Sequence, residues 1–268
     1  MISNKARSRA IAILAGTLLA GGMAVGHAAA QTTPSAEITL EDVPNDVRAE
    51  VTEVWEPVPP IVEALEGAVP SDAFVLFDGT STDAWIKAAE GGGAVDWPAV
   101  DGVLSIGERD IVTAEAFCDV QMHIEWRSPS ETEGFDGQDR GNSGIKFQRR
   151  YEVHILDSVD NPTYVHGQAA AVYKQHAPLV NASRAPGEWQ TYDIVFEAPI
   201  FDEENGALRK PAFITVLHNG VLVQNHVQLS GTTSYVGYPT YTPHGCEPIL
   251  LQDHNSDVRF RNIWVRPL

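Results

Sequence analysis

The 268-residue chain carries 36 Asp and Glu against 18 Lys and Arg, a net charge of −18. Such a surface repels phosphate backbones and anionic headgroups, which argues against nucleic-acid and membrane-surface binding; the same acidity suits divalent cations or simple solubility. Two cysteines, Cys118 and Cys246, leave two readings open: one disulfide in an oxidising compartment, or two separate buried thiols.

In chain order, the first feature is a basic start at Lys5, Arg7 and Arg9, followed by an apolar stretch from Ala10 to Val25 and small residues at Ala28 and Ala30. This pattern predicts a secretory signal over residues 1–30, cleaved after Ala30, and hence a periplasmic or secreted protein with no membrane attachment. No cysteine follows the apolar stretch to carry a lipid anchor. Residues 31–73 read as an N-terminal arm lying on the main domain. Thr39 to Trp55 has helical spacing, and Pro57, Pro59 and Pro60 then impose an extended path.

From Phe74 to Leu268 the chain becomes short β-rich runs punctuated by Gly, Asn, Asp and Pro. Many strands without intervening helices predict one all-β domain, an antiparallel β-sandwich of jelly-roll type, over residues 74–268. In Val120 to Arg127, Val120, Met122, Ile124 and Trp126 alternate with Gln121, His123, Glu125 and Arg127, so one face is core and the other polar. Trp126 and Trp264 are expected as a core pair; Trp97, Trp189, Tyr173 and Tyr192 are further aromatics for core packing or sugar stacking.

The segment Tyr151-Glu152-Val153-His154-Ile155-Leu156-Asp157 carries the chemistry. A strand here projects Glu152 and His154 from one face, placing a carboxyl beside an imidazole whose ordinary pKa lies near neutrality. Asp157 joins them only if a bulge follows His154, a device similar to the bulged acidic strand of laminarinase-like glycoside hydrolases. Arg140-Gly141-Asn142-Ser143-Gly144 precedes this segment, with Asn142 a candidate for sugar hydroxyls and Ser143 for a turn. Further on, Ile214–Leu217 and Val221–Val223 flank His218-Asn219-Gly220, the strongest hairpin signal in the chain. Gln252 and His254 share a face in Leu251-Gln252-Asp253-His254-Asn255, a second polar cluster for sugar or metal. Val258 and Phe260 fall on one parity and Ile263 and Val265 on the other, which predicts a bulge around Arg261 and Asn262. Spacings for a closed zinc site, a phosphate loop, a Gly-x-Ser-x-Gly elbow or a His-Glu-x-x-His helix are absent.

Taken together, Phe74 to Thr80, Asp101 to Leu104, His123 to Arg127, Arg140 to Gly144, Tyr151 to Ser158, Gly187 to Asp193, Leu251 to His254 and Phe260 to Arg266 resemble the 3-keto-disaccharide hydrolase domain family. The likeness runs over about residues 74–268, and Thr52 to Pro60 resembles the arm of one subgroup. This sequence departs from the family pattern at Gly245-Cys246-Glu247 and at His154, where glutamine is common. The resemblance implies a concanavalin-like jelly roll and an exported enzyme that breaks glycosidic bonds of 3-keto glycosides by proton abstraction, elimination and hydration. For that reaction His154 or His254 is the expected base and Glu152 the expected orienting or donating group. Glu125, Arg127, Asn142, Asp157, Tyr173 and Gln252 would contact substrate, and Arg127 or a divalent cation such as calcium would stabilise the enolate. No organic cofactor is implied, and the partner is a carbohydrate substrate. Two other functions fit the same fold: a non-catalytic carbohydrate-binding module, and a conventional glycosidase using two of Glu125, Glu152 and Asp157.

Overall fold

The computed structural model describes residues 43–65 and 67–268. The expected signal at 1–30 and most of the expected arm's first part lie outside the described residues. The chain divides into compact units between Pro59 and Pro60. In the first unit, α1 spans Asn45–Glu50, inside the stretch with helical spacing, and buries none of its residues. An isolated helix this short cannot repay its nucleation cost from backbone hydrogen bonds alone.

The second unit contains the strands β1 (Phe74–Phe77), β2 (Trp85–Lys87), β3 (Ala99–Val100), β4 (Val103–Ser105), β5 (Ile111–Thr113) and β6 (Val120–Arg127). These are followed by β7 (Ser143–Phe147), β8 (Tyr151–Ile155), β9 (Gln190–Glu197), β10 (Ile200–Phe201) and β11 (Leu208–Lys210). The chain closes with β12 (Phe213–His218), β13 (Val221–Gln228), β14 (Leu250–Leu251) and β15 (Arg259–Pro267). A larger sheet runs β13-β12-β9-β6-β15-β4-β3, with β1 also paired to β15, and a smaller one runs β2-β5-β14-β7-β8. The strand pairings are antiparallel, so the predicted β-sandwich holds.

Alternation explains why these segments pair as they do. Along β6, Val120, Met122, Ile124 and Trp126 are sealed in the core while the residues between them are half-buried. Phe147 of the smaller sheet stacks on Phe196 of the larger at 4.8 Å, and Tyr151 meets the same ring at 5.6 Å. Burying each such ring stabilises by about 1.5–3 kcal/mol, and these contacts are what hold the sheets face to face. The hairpin between β12 and β13 turns at Asn219 and Gly220, with φ of +52° and +78°, the conformation that the Asn-Gly pair accepts readily. The β15 ladder shifts register between Arg261 and Trp264, and Asn262 takes φ +46°, so the predicted bulge restores Ile263 and Val265 to the core.

One expectation about the core needs correcting. Trp126 packs inside, against Tyr192 at 5.3 Å, but Trp264 stacks at 5.4 Å on His123, on the other face of the larger sheet. The bulge is the reason: it moves Ile263, not Trp264, onto the inward parity. Cys118 and Cys246 form a disulfide across 128 residues, which decides between the two readings left open. Cys118 leads into β6 of the larger sheet and Cys246 into β14 of the smaller, so the bond staples the layers together.

Candidate active site

β7 and β8 build the site. Tyr151, Val153 and Ile155 point into the core, which forces Glu152 and His154 to the outer face of the smaller sheet. The register sets Lys146 opposite Glu152 and Gly144 opposite His154. A Cβ on Gly144 would lie 2.7 Å from Glu152 Oε1, so a glycine is needed for the carboxylate to lie across the strand. β8 is the edge of its sheet, and loops cover that edge. The Glu152 N–H donates to Thr233 Oγ1 at 3.1 Å, and the His154 N–H donates to the Ala171 carbonyl at 2.9 Å. These covering segments turn an open sheet face into a pocket of about 140 Å³ lined by Asn142, Lys146, Glu152, His154, Tyr173, Thr233, Tyr235, Gln252 and His254.

Glu152 is 5% exposed, with the Lys146 ammonium 3.6 Å from its carboxylate. Burial pushes its pKa up to about 7 although Lys146 pulls the other way. The buried carboxyl is therefore poised to exchange a proton near neutrality. His254 is exposed and lines the same pocket, as does half-buried Gln252. Both leave β14 just after Leu251 has entered the core, and Ser143 fixes this exit by donating its hydroxyl to the Gln252 carbonyl at 2.7 Å.

His154 does not fit the base role expected of it. It is 1% exposed, with Nδ1 2.9 Å from the Gly167 carbonyl and Nε2 3.1 Å from Asn142 Oδ1. Burial pushes its pKa down to about 3, so the ring is neutral: it donates its one N–H to one of those oxygens and turns the lone pair of its other nitrogen toward the second. Both nitrogens are enclosed by protein oxygens, and burial opposes the charge that taking a substrate proton would create. Asn142 is equally committed, because its Nδ2 donates to the Gln138 carbonyl at 2.7 Å. The pair forms a wall that fixes the pocket's shape. Tyr173 closes the side, its ring 4.8 Å from that of His154 and its hydroxyl 2.6 Å from that of Tyr164. Burial raises the Tyr173 pKa well above its ordinary value, which keeps the phenol protonated.

Three other expected substrate contacts lie elsewhere. Glu125 and Arg127 stand on the outer face of the larger sheet, on the opposite side of the sandwich from Glu152. There Glu125 accepts hydrogen bonds from Arg261 at 2.6 Å and Asn262 at 3.0 Å, and Arg127 lies 4.9 Å over the Trp189 ring. Asp157 stays outside the cleft because β8 ends at Ile155 without the bulge that would bring it in. It accepts from Arg140 Nε at 2.7 Å and borders a separate cavity of about 360 Å³ beside Phe135.

Sequence reasoning missed Lys146, Thr233 and Tyr235. For Lys146 a signal existed: it is the lone charge between inward-facing Ile145 and Phe147, and antiparallel pairing to β8 aligns it with Glu152. Thr233 and Tyr235 lie about eighty residues away on a loop whose position only the folded chain determines. Among the described residues, no group of three or more His, Cys, Asp or Glu side chains is placed to hold a metal ion. The positive charge beside Glu152 is the Lys146 ammonium.

No curated protein matches this chain. Among solved structures, a candidate glycosyl hydrolase from Parabacteroides distasonis ATCC 8503 is 46% identical, with a TM-score of 0.77 over 88% of this chain and 100% of the other. A second candidate glycosyl hydrolase from that organism is 20% identical over 73% of this chain and 94% of its own, and its TM-score of 0.53 marks a shared fold. Residues 72–266, which contain every strand end and loop that lines the pocket, match the 3-keto-alpha-glucoside-1,2-lyase-like domain, and the chain belongs to that family.

Proposed function

We propose that this protein is an exported carbohydrate-active enzyme that cleaves 3-keto glycosides by elimination across C1 and C2 of the oxidised sugar. The observation that carries the reading is the pocket's pairing of a buried carboxyl, with a pKa of about 7, and an ammonium 3.6 Å away. A ketone at C3 acidifies the hydrogen on C2. The Glu152 carboxylate takes that proton, and the electron pair of the C2–H bond moves onto the ketone oxygen as an enolate. Lys146 supplies the positive charge that an enolate needs in a site shielded from water. The enolate then collapses to regenerate the C3 ketone, forms a C1–C2 double bond and expels the glycosidic oxygen. Exposed His254 is placed to donate a proton to that oxygen. Addition of water across the double bond, hydroxyl to C1 and hydrogen to C2, makes the net reaction a hydrolysis. Gln252 faces the same space and is suited to binding sugar hydroxyls.

The family match supports the elimination chemistry, and the pocket's contents favour it over a conventional glycosidase. That mechanism needs two carboxyl groups flanking one glycosidic bond, whereas Glu152 is the one carboxylate among the pocket's lining residues. The disulfide suits an oxidising compartment, in keeping with export. Purified protein incubated with a 3-keto disaccharide and with the same sugar unoxidised is expected to cleave the first alone; equal cleavage of both would overturn the mechanism. Mass measurement of the protein recovered after export is expected to give a chain beginning at Gln31.

A further inference from the structure

At about 140 Å³ the pocket is far smaller than the roughly 300 Å³ at which sites for drug-sized ligands begin. It has room for one sugar ring, so the other partner of a glycosidic bond must rest on the rim. One side of that rim is a loop closed at its base by the bridge between Thr232 and Thr240. The base is fastened to the active-site strand: the Thr233 N–H donates to the Arg150 carbonyl at 2.9 Å, and Thr233 Oγ1 accepts from the Glu152 N–H at 3.1 Å. The tip holds Tyr235, Val236 and Tyr238, which are 72%, 78% and 93% exposed. Apolar side chains clustered in water beside a cleft are a mark of a binding surface.

Tyr235 differs from its neighbours in being both a wall of the pocket and held in place. Lys174 Nζ donates to the Tyr235 carbonyl at 2.7 Å and sits 4.4 Å from the centre of the Tyr235 ring. The same ammonium lies 5.5 Å from the Tyr164 ring, whose hydroxyl is tied to Tyr173 inside the pocket. The exposed ring is thus oriented by groups that also shape the pocket, and much of its surface remains open to a ligand.

From these contacts the geometry points to a second sugar subsite at the pocket mouth, with Tyr235 as the platform on which the ring beyond the scissile bond stacks its C–H face. Tyr238 extends the apolar surface at the loop tip. The assignment rests on the pocket being the site of glycoside cleavage. It makes this loop the element that selects disaccharides over glycosides with a small leaving group.

The test compares a 3-keto disaccharide with a methyl 3-keto-glucoside. Tyr235→Ala is expected to lower kcat/KM for the disaccharide about tenfold more than for the methyl glycoside, the scale of one ring-stacking contact. Tyr235→Phe keeps the ring and is expected to retain the wild-type preference. Equal losses on both substrates, or no loss on either, overturn the subsite. Calorimetric titration with the unoxidised disaccharide reads the same contact without turnover: its Kd should weaken about tenfold in Tyr235→Ala and recover in Tyr235→Phe. An unchanged Kd overturns the subsite, and so does a wild-type protein that neither binds nor cleaves. A wild-type protein that binds through Tyr235 yet cleaves no 3-keto glycoside defeats the catalytic reading alone.

Discussion

Burial and a neighbouring ammonium act on Glu152 in opposite senses, and burial prevails, leaving the carboxyl to titrate near 7. If Glu152 is the base it must be ionised, so kcat/KM is expected to rise as pH passes upward through about 7. Glu152→Gln should remove about 10²- to 10⁴-fold of the rate. Stability gives a separate readout. The folded pKa lies above the unfolded one, so the group's contribution is complete below its ordinary value of 4.5 and is lost as pH rises through about 7. Glu152→Gln is therefore expected to raise Tm relative to wild type at pH 8 more than at pH 5. Lys146→Met should cut kcat about 10²- to 10³-fold if the ammonium carries the enolate charge. Gly144→Ala places a methyl 2.7 Å from Glu152 Oε1, at the movable end of that side chain. Rate should suffer more than stability, measured as kcat against Tm; an unimpaired kcat would show that the carboxylate's position is not decisive.

Among the elements, the two sheets contribute unequally to chemistry. The larger sheet supplies most of the core and turns an outward face of linked charges, His123–Asp193, Glu125–Arg261 and the Arg127–Trp189–Arg261 stack, that is remote from the pocket. The smaller sheet carries the site because its edge strand β8 is covered by loops instead of another strand, which leaves room for a cleft. The disulfide joins the approaches to both sheets, and the Phe117–Glu247 bridge runs beside it. For a closed loop of 128 residues, loop-closure entropy predicts a stabilisation of roughly 4 to 5 kcal/mol. Replacing both cysteines by alanine should lower the unfolding free energy by up to that amount in denaturant titrations. A loss below about 1 kcal/mol would mean that the unfolded chain is already restricted there.

For the whole molecule, acid is the expected route to unfolding. His154 and His218 are buried and neutral, their pKa values pushed by burial to about 3 and about 4. Both lie below the unfolded value of 6.5, so the unfolded chain binds these protons first. The stability they contribute is present above 6.5 and is lost as pH falls through that value toward 4. Tm should decline over this interval, and the decline should be smaller in His218→Asn; an identical slope would remove His218 from the account. The sequence by itself determined the sandwich, the alternation of β6 and β8, the Asn-Gly hairpin, the β15 bulge and the shared face of Glu152 and His154. Each follows from strand period and turn chemistry, which act between residues close in the chain. Only the tertiary structure decided that Glu125 and Arg127 face away across the core, that β8 ends at Ile155 with no bulge to bring Asp157 in, and that His154 is sealed while Lys146 and Tyr235 reach the pocket. Those outcomes depend on which strands become neighbours and which loops cover an edge, and such contacts join residues as far apart as Glu125 and Arg261, 136 positions, that no local pattern relates.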